Sequence, residues 1–96
     1  MPPLQSIKLT VNFIKEGKQV VAYSPALDIS TVGKSEQEAK KRFQELARMF
    51  LNDLTERNVL EDVLTELGCT KVTENKKFPW VPPTVTSVDL QVRVAA

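Results

Sequence analysis

Histidine is missing altogether from the 96 residues. That absence excludes Ser-His-Asp triads, Cys-His pairs, a histidine general base and any metal site that needs an imidazole. Cysteine occurs once, as Cys69, so no intrachain disulfide can form and a cysteine zinc site within one chain lacks its partners. Cys69 follows Gly68 and precedes a β-like stretch, which reads as a small half-buried residue in a reducing compartment. Glycine is scarce too. Gly17, Gly33 and Gly68 stand singly at expected turns, so there is no glycine-rich loop to cradle a phosphate. The longest apolar run, Val20 to Tyr23, is far short of the roughly 20 residues of a membrane span. Met1–Gln5 has no basic start followed by an apolar core, so no signal peptide is expected and the chain reads as cytoplasmic. Neither sign of charge dominates: 13 Lys and Arg stand against 12 Asp and Glu, a net charge of +1. Bulk charge therefore does not describe a polyanion binder.

What remains is ordinary globular material, 42% hydrophobic and 26% charged, enough for a single domain over residues 1–96. Ile7, Leu9, Val11 and Phe13 alternate with Lys8, Thr10 and Asn12, the period of a strand with one buried face. Lys15–Lys18 interrupts it, with Gly17 suited to a tight hairpin. Val20–Tyr23 reads as a second strand. Pro25 ends pairing, and Ile29–Val32 is a short third strand. Ser35 and Glu38 have the spacing of a capping box, in which each would serve the other's backbone N–H. Ala39, Phe43, Leu46, Ala47, Phe50, Leu51 and Leu54 then form one apolar stripe on a helix of five to six turns. Glu36–Lys40, Glu38–Arg42 and Asp53–Arg57 have the favourable i,i+4 order. Asn58 breaks the helix. Val59–Leu67 continues as a shorter one, and Gly68 stops it. Cys69–Val72 is extended and Thr73–Lys77 is a polar turn. Phe78–Pro83 contains three prolines and reads as a connector. Val88, Leu90, Val92 and Val94 alternate with polar residues as a last strand. The expected fold is α+β: an antiparallel sheet in the order β-β-β-α-α-β-β, packed on one long and one short helix.

Carboxylates are the acid–base groups that remain. Only Asp28 and Asp89 lie near strands, while Glu36, Glu38, Glu45, Asp53 and Glu56 lie on the long helix. A residual metal-dependent nuclease would need several acids in one cleft; nothing in the spacing gathers them, so they read as solvated surface and no metal or cofactor is expected. The bases Lys40, Lys41 and Arg42 spread around the helix, and Glu38, Lys41, Glu45 and Arg48 alternate in sign along one face. Lys71, Lys76, Lys77 and Arg93 near Phe78 and Trp80 form a weak version of a single-strand RNA-binding pattern. Trp80 either caps the open end of the core or anchors a partner. The last strand, through Val88, Leu90 and Val92, can recruit a second chain if it lies at an edge.

Residues 20–39 resemble the N-terminal domain of HicB-family antitoxins. That family has a strand, Pro-x-Leu, a short strand, then Gly-x-[Ser/Thr]-x-x-Glu-Ala opening a long helix. Pro25, Leu27, Gly33, Ser35, Glu38 and Ala39 match in order and spacing. Leu67 and Gly68, followed by an extended segment, an aromatic and a Pro-Pro pair, are similar to the tail of stand-alone members. The resemblance covers residues 6–83. It implies a partial RNase H-like fold and a non-catalytic, cytoplasmic protein that binds and silences a small ribonuclease toxin, HicA. It also implies a homo-oligomer, a dimer or tetramer. Two features differ from the family: Asp28-Ile29 replaces a common Gly-Cys, and only Val85–Val94 follows the Pro-Pro pair, where complete antitoxins carry a DNA-binding domain. Direct DNA binding is therefore not expected.

Overall fold

Alternating apolar residues need a ladder partner before they become a strand, and that requirement decides where the first strand lies. A computed structural model of the chain describes residues 6–74 and 79–95. Strand β1 is Asn12–Glu16 and β2 is Gln19–Ser24. They pair antiparallel from Glu16↔Gln19 to Asn12↔Tyr23. The two linking residues are Gly17 and Lys18, and Gly17 takes φ 61, the left-handed conformation that a two-residue hairpin asks of glycine. The strand expected from Ile7 to Phe13 is thus displaced toward the turn. β2 ends before Pro25, so residues 7–11 lie beyond its ladder; Ile7 forms a bridge, parallel, to Trp80.

β3 is Ile29–Gly33 and pairs antiparallel with β2, giving a three-stranded sheet in the order β1-β2-β3. The link between β2 and β3 is a tight turn. Fully buried Ser24 accepts from the Leu27 N–H through its Oγ at 3.3 Å and from the Asp28 N–H through its carbonyl at 2.8 Å. Asp28 itself sits at φ 53, a conformation that short polar side chains tolerate.

Helix α1 is Glu36–Glu56. Its cap is the expected one with a changed second half. Ser35 Oγ accepts from the Glu38 N–H at 3.1 Å. The Glu38 carboxylate, however, accepts from the N–H of Lys34 at 3.1 Å, one residue before the cap. Glu38–Arg42 and Asp53–Arg57 close as ion pairs at 3.4 and 3.2 Å; being exposed, they add little. Helix α2 is Leu60–Glu66. Both helices end alike. The N–H groups of Asn58 and Val59 bond to the carbonyls of Thr55 and Leu54, and those of Gly68 and Cys69 bond to Thr65 and Leu64. Each is a Schellman motif, with Asn58 (φ 58) and Gly68 (φ 90) in the left-handed position.

The last two strands are short: β4 is Thr70–Lys71 and β5 is Trp80–Val81, paired antiparallel. The element order is the expected one, but the fifth strand lies inside the proline-rich connector. Trp80 and Val81 still carry N–H groups between Pro79 and Pro82. The segment Val88–Val94 is not in any ladder, and its expected place as the last strand is corrected to that of an exposed tail. Residues 75–78, which include Lys76, Lys77 and Phe78, lie outside the described residues, as do Met1–Gln5.

Two core clusters follow. Val20 and Ala22 of β2 pack against Ala39, Phe43 and Ala47 of α1. Leu27, Leu64, Cys69 and Trp80 form the second cluster beneath α2. Burial pushes the Cys69 thiol up from its ordinary pKa, so it stays protonated and inert. Among the described residues no helix is long and apolar enough to cross a membrane.

The helix is seated by one close approach. A Cβ placed on Gly33 would lie 2.5 Å from the Ala39 N and 2.9 Å from its Cα. These are backbone atoms of the first turn of α1 and cannot swing aside. Gly33→Ala is expected to destabilise the fold by about 1–3 kcal/mol through overpacking, read as a lower urea midpoint at unchanged slope.

Candidate functional site

The family-like residues Pro25, Leu27, Gly33, Ser35, Glu38, Ala39 and Gly68 all fall at turns, caps and core contacts. Leu27 and Ala39 are buried; Ser35 and Glu38 cap α1; Gly68 ends α2. Ser35 and Glu38 also line a depression on the surface with Gln37, Lys41, Arg42 and Glu45. Asp28, the loop carboxylate, accepts a hydrogen bond from the Tyr23 hydroxyl at 3.0 Å. Among the described residues, no group of three or more His, Cys, Asp or Glu could hold a metal ion.

Trp80 is in the core, 7% exposed, which is the capping position rather than that of an exposed anchor. The Lys71 ammonium lies over its ring, 5.8 Å from the centroid, and 3.8 Å from the Glu61 carboxylate. The ring therefore offers little face for a nucleotide base to stack on. The structure does not bring Trp80 together with the other expected partner residues. Val88, Leu90 and Val92 lie on the tail, 68%, 78% and 75% exposed, and Val94 is 82% exposed. Every residue from Thr86 to Ala95 is exposed. The tail lengthens the molecule: the Cα radius of gyration is 16.0 Å, against about 12–13 Å for a compact chain of this length.

A second feature could not be found from residue periodicity alone. Ile7, Leu9, Val11 and Phe13 turn one face toward α1, and Phe43, Ala47 and Leu51 face them from the helix. Between them runs an open groove of about 470 Å³, rimmed by Lys40, Gln44 and Arg48. The cause is the seat of α1. Pinned at Gly33, the helix packs on β3 and β2, and the segment before β1 runs along its flank with the groove between them. Alternation in Ile7–Phe13 signalled the apolar face; nothing in it signalled the groove beside it. On the opposite face of the sheet, Ile14, Val21 and Val32 stand in one cross-strand row, with Ile14 and Val32 46% and 38% exposed.

Comparison with protein-family models, curated proteins and solved structures returns no match.

Tyr23 is the one tyrosine, so its titration can be read directly. The hydrogen bond it donates to Asp28, then burial, then the Asp28 charge raise its pKa above the ordinary 10.0. Asp28→Asn keeps a residue that tolerates positive φ and removes the charge. The phenolate absorbance midpoint is expected above 10 in the parent and lower in the variant; equal midpoints would show that Asp28 does not hold the phenol.

Proposed function

We propose that this protein is a non-catalytic binding module that captures another protein chain through its C-terminal segment. One observation carries the reading: Val88, Leu90, Val92 and Val94 form an alternating apolar face that is 68–82% exposed and has no ladder. A strand-like segment with unpaired backbone and one apolar face is the donor half of a strand addition. Burying each Val or Leu is worth about 1.5–3 kcal/mol. Four of them exceed the cost of ordering the segment only when the partner also supplies a ladder.

The HicB resemblance gives the partner class. The match at Pro25, Leu27, Gly33, Ser35, Glu38 and Ala39 supports a protein that neutralises a small HicA-like ribonuclease, assembles as a homo-oligomer and works in the cytoplasm. The same resemblance implies the non-catalytic part, and the burial of Trp80 disfavours single-stranded RNA as the ligand.

The test is rescue. A HicA-type toxin encoded beside this chain is induced with and without it. Growth is expected to return with the parent chain, and the two proteins to co-purify. Leu90→Asp with Val92→Asp is expected to weaken capture by at least about 30-fold, the scale of a hot spot. Absent rescue and co-purification overturn the toxin reading. Magnesium-dependent RNA cleavage that disappears in Asp28→Asn overturns the non-catalytic one.

A further inference from the structure

The groove beside α1 joins an apolar floor to a cationic rim. Leu9, Val11 and Phe13 form one wall, and Phe43, Ala47 and Leu51 form the other. Along the top of the helix wall stand Lys40, Gln44, Arg48 and Asn52. They recur at every fourth residue, so they make one row on the helix surface. Two are cations and two are amides, and among the described residues no carboxylate lines the groove. The acids of α1 are placed elsewhere: Glu38 and Glu45 line the other depression, and Asp53 is paired with Arg57. The Glu36–Lys40 pair expected from spacing does not close. The ion pairs among the described residues belong to Arg42, Arg57 and Lys71, which leaves Lys40 and Arg48 without a counter-ion there.

The two ends of the groove differ. Ile7 and Leu51 both pack on the second core cluster, while Phe13 packs on the first. Ser6, Arg48 and Asn52 therefore gather at the Ile7 end, as a hydroxyl, a guanidinium and an amide that all donate hydrogen bonds. A guanidinium binds a carboxylate through two parallel bonds. Lys40 stands at the Phe13 end, where its aliphatic stem can cover an apolar chain while its ammonium stays in water.

Size decides which apolar body fits. From Lys40 to Asn52 the helix rises about 18 Å. Spread over that length, a volume of about 470 Å³ leaves a cross-section of about 26 Å². A helix about 10 Å across is too wide for it. A strand would have to join a ladder at Ile7 and Lys8, but Ile7 already bridges Trp80 and Lys8 is engaged. One hydrocarbon chain fits both measures, since a single leaflet's acyl chain reaches about 15 Å, half of a bilayer's hydrocarbon core.

We propose that the groove is a binding site for a free long-chain fatty acid. The carboxylate sits at Arg48, Asn52 and Ser6, and the acyl chain runs over Leu9, Val11 and Phe43 toward Phe13 and Lys40. This site uses none of the residues through which the tail captures protein, and it stands or falls separately from that reading.

The test is calorimetry on the full chain with tetradecanoate held below its micelle concentration. One acid is expected to bind per chain, at least about 10-fold tighter than decanoate because four more methylenes leave water. Arg48→Gln is expected to raise the dissociation constant about 10-fold, and Lys40→Gln to raise it less. Lys15→Gln removes an exposed charge from the hairpin end and is expected to change nothing. Amide shifts in the NMR spectrum are expected along residues 7–13 and 40–52. No saturable binding overturns the proposal. So does equal binding of tetradecyltrimethylammonium, which would make the rim irrelevant. Shifts confined to residues 88–94 would mean that the acid merely coats the exposed tail, and binding to anionic phospholipid vesicles but not to the free acid would mean a membrane surface; either outcome overturns it. A larger loss at Lys40 than at Arg48 overturns the placement of the carboxylate.

Discussion

The fold depends on the distance between Gly33 and the first turn of α1. The end of β3 and the backbone at Ala39 approach so closely that no side chain fits between them. Everything around the contact is arranged to keep it. Ser35 ends the extended chain and satisfies the Glu38 N–H. Glu38 turns back onto the N–H of Lys34 and also meets Arg42, which reaches Val32. The helix start is thereby tied by polar contacts to Val32 of β3 and to Lys34 just after it, and to the sheet by Ala39, which is fully buried. Small residues beneath the helix, Ala22 and Ala47 as well as Ala39, let it lie close along its length.

A helix seated at β3 cannot also cover β1. Its axis is set by the Gly33 contact and by Phe43 lying over Val20 and Ala22. The segment before β1 is left on the flank, half-buried through Leu9, Val11 and Phe13. The second core cluster closes the far end. Leu27 from the tight turn, Leu64 and Cys69 from the end of α2, and Trp80 from β5 meet there. The two Schellman endings make this possible, because each turns the chain sharply while bonding its last carbonyls. Leu9, Val11 and Phe13 pack in part against the first cluster and Ile7 and Leu9 against the second, and the groove runs between this segment and α1.

The α+β order, both helices, the hairpin at Gly17 and the caps at Ser35, Asn58 and Gly68 were legible in the sequence, because each is dictated by neighbours within a few residues. The boundaries that failed depend on distant partners. Ile7–Phe13 has the right alternation, but β2 is six residues long and serves only the half nearest the turn. Phe78–Pro83 looked excluded from pairing by its prolines, yet two residues between them find β4. Val88–Val94 has the cleanest alternation in the chain and no ladder at all. The candidate site divides in the same way. The tail residues were visible as a pattern; the groove was not, since it arises from where α1 is pinned and which strand it leaves uncovered.

Period-two alternation reports which face of a segment avoids water; it does not report where the partner is. Ile7–Phe13 and Val88–Val94 both carry that signal, and in one chain the first is half-buried with an open flank while the second is wholly exposed. A chain that keeps four large aliphatic side chains in water gains from covering them, and the groove between Ile7–Phe13 and α1 is a second open apolar surface on the same molecule.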